Sequence, residues 1–391
     1  MPSYKPYHPE QAALLPAHVQ DVLGENHLCF LVHDMVEQLD ISAFEAGYGE
    51  AGGEQPYHPR LMIKVWLYAF ALRVKSTRKL EQRIREDLGF RFLGGGSAPD
   101  HKTLSEFLRL HGQAVVQLFT QVLQLLRQAG VARLGEVAID STRIKGYASR
   151  DRVVRRTELE RKVQQWMSEL NEDPDRQPGR EVSAGERQRV QEQLQQMRDS
   201  GEDQLSTTDG DARFLRERQG FALGYTGEIA VSEDHFIVAQ RVTQNKNDNG
   251  SLLPMVEEVE RQCRQAPRRV LADSGFFSRE NVEQLEERGL DGYVPDSNLA
   301  RELNGLGEAK GIGNRAVQHA GIQRMRQKLR SPAGRQQYGR RKQLVEAVFG
   351  SLKEHGGMRG FQRRGLANVA VEWALAAIAF NLKRWQRVRI G

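Results

Sequence analysis

The hydrophobic pattern of this chain changes period once, at residue 135, and that change limits the folds open to it. Before it, apolar residues recur at helical spacing. RLMIKVWLYAFALRVK (60–75) is apolar nearly all round and follows Pro59, a residue suited to a first helical turn. RKLEQRIREDLGF and HKTLSEFLRLHGQAVVQLFTQVLQLLRQAG continue the helical pattern, with Ser76 or Thr77 and Asp100 or Thr103 as caps and Gly130 as a stop. Residues 1–130 therefore read as an all-helical region, suited to DNA binding or dimerisation. From GEVAIDSTRIKGYAS onward the residues are β-branched and then alternate, which reads as a buried strand running out to an edge. Asp140 follows Val137, Ala138 and Ile139 directly. A carboxylate there must be ligated, paired or protonated, because burying a bare charge is costly.

Beyond that strand the elements come in a definite order. Residues 150–215 are rich in Arg, Glu and Gln and read as an inserted, solvated helical hairpin broken by NEDPDRQPG. GFALGYTGEIAV and HFIVAQRVTQ flank a turn at Ser232-Glu233-Asp234 and form a hairpin. Ser251 caps the helix LLPMVEEVERQCRQA. RRVLADSGFF gives a short buried strand ending at Asp273, and LDGYVPD another. Residues 297–336 are polar, Gly-containing and basic, and read as a loop or disordered arm. Two helices close the chain, QYGRRKQLVEAVFGSLKE (337–354) and VAVEWALAAIAFNLKRWQ. The order β, insertion, β, β, α, β, α, β, α predicts an α/β fold: an RNase H-like mixed sheet flanked by helices over 131–391, preceded by the helical domain 1–130.

Charge is distributed unevenly. Residues 301–391 hold 19 Lys and Arg against 5 Asp and Glu, in a chain whose net charge is only +6. The first 300 residues are therefore acidic, and the basic quarter is a footprint for a polyanion, nucleic acid first. Two cysteines, Cys29 and Cys263, form no Cys-x-x-Cys pair and imply no disulfide framework, as in a reducing cytoplasm. His27, Cys29 and His33 sit in an apolar run and read as core. The start, MPSYKPYHPE, has no signal-peptide pattern. The apolar stretches 65–72 and 373–380 are too short to span a bilayer, so a cytoplasmic protein without a membrane partner is expected.

The chemistry rests on acids. In the expected sheet Asp140, in mid-strand, and Asp273, at the end of its strand, lie on neighbouring strands and can converge, and open α/β sheets place their sites at strand ends. Glu346 lies off the apolar stripe Leu344, Val345, Val348, Phe349 and Leu352, among Arg340, Arg341, Lys342 and Lys353. Taken alone, that helix is an ordinary amphipathic one with an incidental Glu; the two aspartates change its meaning. Three hard oxygen ligands suit Mg²⁺, and two such ions would serve an in-line displacement at phosphorus. Asp248, in the run NKNDNG, reads as a turn residue, and Asp209 and Asp211 as loop acids or salt-bridge partners.

These pieces resemble the DDE transposases of bacterial insertion sequences. AIDSTRIKGY, LADSGFFSRENVE and YGRRKQLVEAVFGSLK match in order, and the last resembles that family's Tyr-x2-Arg-x3-Glu-x6-Lys motif. Here Tyr338 to Arg341 and Glu346 to Lys353 keep the spacing, whereas four residues separate Arg341 from Glu346. Arg340 or Lys342 can therefore stand in for Arg341. YHPRLMIKVWLYAF, STRKLEQRIRED and APDHKTLSEF are similar to the family's helical N-terminal domain, and ARFLRERQGFALGY, GYTGEIAV and VTQNKNDNGSLLPM to its middle. The resemblance implies that Asp140, Asp273 and Glu346 bind two Mg²⁺ ions, with Mn²⁺ as a substitute. It implies that Tyr338 and Arg341 hold DNA near the cut and that Lys353 contacts phosphate. Arg143 and Lys145, which follow Asp140 on its strand, are added as backbone contacts. The expected activity is recognition of terminal inverted repeats, hydrolysis at each end, and transfer of the 3′-hydroxyl to target DNA by an oligomer. A nuclease without strand transfer and a non-catalytic DNA-binding protein are the alternatives.

Overall fold

The computed structural model describes residues 18–46, 55–172, 183–217, 220–307 and 319–390. The N-terminal decapeptide, most of the Gly-rich stretch near 50, most of the break NEDPDRQPG and residues 308–318 of the basic stretch fall outside these.

Helices come first: α1 (Leu28–Glu37), α2 (Ser42–Glu45), α3 (Pro59–Ala71), α4 (Thr77–Glu86), α5 (Leu88–Leu93), α6 (His101–Leu110) and α7 (Gly112–Gln128). Pro59 occupies the first turn of α3, as its fixed φ favours, and the Asp100 carboxylate accepts from Thr103 N at 2.7 Å to cap α6. The long run after Asp100 is two helices, divided at His111. Cys29 is fully buried with its sulfur 3.0 Å from His27 Nδ1, and His33 faces the Lys64 ammonium at 3.0 Å. The three residues are thus packing and hydrogen-bonding groups.

The sheet follows: β1 (Glu136–Lys145), β4 (Arg213–Glu217), β5 (Gly220–Ser232), β6 (Ile237–Thr243), β7 (Arg269–Ala272) and β8 (Asp291–Tyr293), with β2 (Val153–Arg155) and β3 (Gln204–Ser206) forming a separate ribbon. β5 runs antiparallel to β1, and β4 and β6 run antiparallel to β5. Gly224 pairs with Lys145 on one side and with Arg213 on the other, so β4 and β6 share the far edge of β5. β7 lies parallel to β1, and β8 parallel to β7. The path is β6–β5–β1–β7–β8, with β1 central. A β-carbon on Gly224 would stand 2.6 Å from Gly146 N and 2.9 Å from the Lys145 α-carbon, so only glycine lets β5 close on β1 there.

Two stretches differ from the sequence reading. The 150–215 insertion contains the helices α8 (Arg156–Glu172) and α9 (Ala184–Ser200), but the β2–β3 ribbon joins its two ends and β4 belongs to the main sheet. These strands are short and carry Arg, Gln and Ser, so no alternation announced them. Residues 297–336, expected as a loop or disordered arm, are helical where described: α12 (Ser297–Leu303), α13 (Ala320–Arg330) and the start of α14 (Pro332–Gly350). Ile322, Met325 and Leu329 are buried on one face of α13, and the last two join Val282, Leu299 and Tyr338 in a small apolar cluster. The basic residues face acids, with Arg324 at 2.6 Å from Glu286, Lys328 at 2.6 Å from Asp291 and Arg330 at 2.7 Å from Glu302.

The last helix, α15 (Leu366–Ile390), packs on α1, α3, α7 and β6. One continuous core therefore runs from Leu28 to Leu382, through both the helical region and the sheet. Lys75 reaches across to Glu372 at 3.3 Å, with both side chains buried, and donates to Gly360 O at 2.8 Å. α15 is long and apolar enough to cross a membrane by length and composition, but its apolar stretch is mostly buried inside the protein.

Candidate nucleic-acid active site

The last β1–β7 register pair is Ile139 with Ala272. The next residues are Asp140 and Asp273, and Asp273 is still extended, with φ −81° and ψ 179°. Paired residues on parallel neighbours point to one face and sit about 4.8 Å apart. The sheet therefore delivers the two carboxylates side by side. Asp140 Oδ1 accepts from Ser141 N at 2.8 Å, and Asp273 Oδ1 from Gly275 N at 2.8 Å, where it opens a short turn of 3₁₀ helix.

α14 covers this point. Gly334, Tyr338, Arg341, Leu344, Val345 and Val348 form its buried face. Arg341 Nη1 donates to Asp140 Oδ2 at 2.9 Å, and the Tyr338 ring lies 5.9 Å from the Arg341 guanidinium. Burial pushes the Asp140 carboxyl up, Arg341 opposes this, and the negative charges of Asp273 and Asp248 add to it, leaving a pKa of about 6. Burial likewise raises the Tyr338 phenol. After α14 the backbone forms a π-helical turn, Ser351–His355, which carries Lys353. Burial lowers the Lys353 ammonium, with Glu217 and Asp140 pulling the other way.

The remaining predicted residues are spread around this centre. Glu346 is on the exposed side of α14 and, among the described residues, contacts neither aspartate through a hydrogen bond or ion pair. Arg340 faces Glu136 at 3.3 Å, at the opposite end of β1 from Lys145. Lys145 is exposed, and its carbonyl accepts from Phe361 N at 2.8 Å. Arg143 is held on both arms: Nη1 bonds Thr226 Oγ1 at 3.0 Å and Asp248 Oδ1 at 3.1 Å, and Nη2 bonds Lys246 O at 2.9 Å. Among the described residues no three His, Cys, Asp or Glu side chains come close enough together to hold a metal ion.

Sequence reasoning set three acids aside that the fold uses. Asp248 stands in the site, and the signal that could have found it was the clustered Asn and Asp of NKNDNG after a strand. Asp209 Oδ1 accepts from Tyr225 OH at 2.8 Å and Gly365 N at 3.1 Å, and Asp211 Oδ2 from Leu366 N at 2.8 Å. These two anchor the start of α15 and are not part of the site.

All-oxygen donors suit a divalent cation that keeps water and takes phosphate oxygens. Asp140 and Asp273 fit such an ion. Among the described residues Arg341 is the one guanidinium hydrogen-bonded to Asp140, so a second positive charge can be accommodated beside the two carboxylates.

Residues 17–110 match the family model described as Transposase domain (DUF772), and residues 309–386 the one described as Transposase DDE domain. Tyr338, Arg340, Arg341, Glu346 and Lys353 lie within the second match, whereas Asp140 and Asp273 lie outside both. No curated protein and no solved structure matches the chain.

Proposed function

We propose, on the premise that this chain carries the transposase domains of an insertion-sequence DDE transposase, that it cuts DNA at the inverted repeats ending its element. It then joins each freed 3′-hydroxyl to target DNA. The observation that carries this reading is the β1–β7 register, whose last pair, Ile139 with Ala272, is followed directly by Asp140 within β1 and Asp273 just past β7. The strand path β6–β5–β1–β7–β8, with three antiparallel strands followed by two parallel ones, supports an RNase H-like sheet.

Asp140 and Asp273 would hold the divalent ions, Mg²⁺ first, with Glu346 completing the set from α14. Bound there, such ions activate a water or 3′-hydroxyl and stabilise the leaving oxygen. Arg341 holds Asp140 in one orientation through its 2.9 Å contact. Tyr338 supports Arg341 from the same buried face and would contact DNA near the cut. Lys353, partly desolvated beside Asp140, is placed to meet a phosphate that enters. Lys145 contributes charge along the exposed end of β1, and Arg340 beside Glu136 along the opposite end. Two ends must be held together for transfer, so at least a dimer assembles on DNA.

The test is cleavage of DNA carrying the gene's own flanking sequence, with Mg²⁺, comparing wild type with Glu346→Gln. Wild type should cut and join the ends; the variant should bind DNA and do neither. Cleavage without joining would move the reading to a nuclease. Binding without cleavage by either protein would move it to a DNA-binding protein. Full activity of Glu346→Gln would remove that residue from the site.

A further inference from the structure

The stretch Gln244–Ser251, which joins β6 to the following helix α10 (Leu252–Cys263), has the composition of a solvated turn but is tied down along its length. Asn245 O accepts from Thr226 Oγ1 at 2.7 Å, and Asn245 Nδ2 donates to Ser251 Oγ at 3.1 Å. Ser251 Oγ donates in turn to the fully buried Glu228 at 2.6 Å. Lys246 O accepts from Arg143, and Asn249 O from the buried Asn281 amide at 2.7 Å. The middle of the stretch is therefore fixed to β1, β5 and α11 (Arg279–Glu287).

Asp248 sits at that middle. Its Oδ1 accepts from Ser141 Oγ at 2.8 Å and from Arg143 Nη1 at 3.1 Å, so the carboxylate cannot turn. Its Oδ2 is then directed over Gly275. A β-carbon on Gly275 would stand 3.3 Å from Asp248 Oδ2 and 3.0 Å from Asp273 Oδ1, so the two oxygens border the same small space. Both donors that clamp Asp248 come from the strand that bears Asp140, and the oxygen left over borders the same space beside Gly275 as Asp273 Oδ1.

We propose that Asp248 is a positioning residue of the site: clamped by Ser141 and Arg143, it sets the direction and charge environment of Asp273, through which it acts on the bound divalent ion. Arg143 then serves as its fixed counter-charge from β1. The inference rests on the reading that Asp140 and Asp273 hold a divalent ion.

The experiment measures Mn²⁺ binding to the full chain without DNA, by electron paramagnetic resonance of free Mn²⁺. Wild type is compared with Asp248→Asn, Asp248→Glu, Asp140→Asn and Asp273→Asn, with a thermal melt on each. Residues that orient metal ligands typically account for about 10- to 100-fold in affinity. Asp248→Asn keeps an oxygen for the two donors but loses the charge. It should weaken Mn²⁺ about tenfold with little change in melting temperature, and Asp248→Glu should recover part of the loss. Binding equal to wild type in Asp248→Asn, while Asp140→Asn and Asp273→Asn lose the ion, overturns the role of Asp248 alone. Unchanged binding in all four variants overturns the metal reading itself. Parallel losses of Mn²⁺ binding and melting temperature in both Asp248 variants would make the residue a structural clamp and also overturn the proposal.

Discussion

Asp140 gives the site a pH dependence whose sign is fixed. Its carboxyl is raised from an ordinary 3.8 to about 6, chiefly by burial. A raised folded-state value means that protonation favours the folded chain. That contribution is fully present below 3.8 and is lost as pH rises through about 6. The carboxylate that would bind a cation fills over the same window, so catalysis and this part of stability trade against each other. Carbon-13 NMR of Asp140 without divalent ions should titrate near 6. A midpoint near 4 would contradict the burial argument. At this scale the sequence showed Asp140 within a buried strand and Asp273 at the end of another, because a lone acid after apolar residues has few structural uses. It did not show Asp248, whose partners Ser141 and Arg143 lie more than a hundred residues away.

Elements carry the next two predictions. Gly224→Ala has no room, since the nearest atoms are backbone of Ile144, Lys145 and Gly146 on β1. Overpacking of this kind typically costs about 1–3 kcal/mol, and the neighbours here are backbone that cannot rotate aside. A denaturant melt should read a loss at the upper end of that range. Asp211→Ala leaves Leu366 N without its carboxylate at the start of α15, and should cost about 1 kcal/mol with the site unaltered. β1, β5, β6 and β7 were legible because β-branched and apolar residues fill buried sheet positions. β2, β3 and β4 were not, because their pairing supplies the order that their polar residues do not advertise. α13 escaped for a related reason: Ile322, Met325 and Leu329 are sparse, and its partners Val282, Leu299 and Tyr338 come from elsewhere in the chain.

The whole molecule is held by charge as well as by packing. The basic last quarter meets the acidic remainder at Arg324–Glu286, Lys328–Asp291, Arg340–Glu136 and Arg341–Asp140. The charge split was plain in the sequence, but these internal uses were not. Duplex DNA binding should weaken steeply with salt, with a log–log slope close to −0.9 per phosphate neutralised. Neutralising Arg324 and Arg330 together should reduce that slope by less than two, because each already faces a carboxylate. Fluorescence anisotropy across a salt series measures this. A flat response would remove the electrostatic case for nucleic acid.

The final helix has a further consequence, in time. α1, α3 and α7 bury their apolar faces against α15, which is synthesised long after them. At about 5–20 residues per second, on the order of ten seconds to a minute separates α7 from α15 during translation. Through that interval the first helices have no partner for those faces. A chain cut short before Leu366 should therefore expose the apolar faces of α1, α3 and α7 rather than yield a folded fragment.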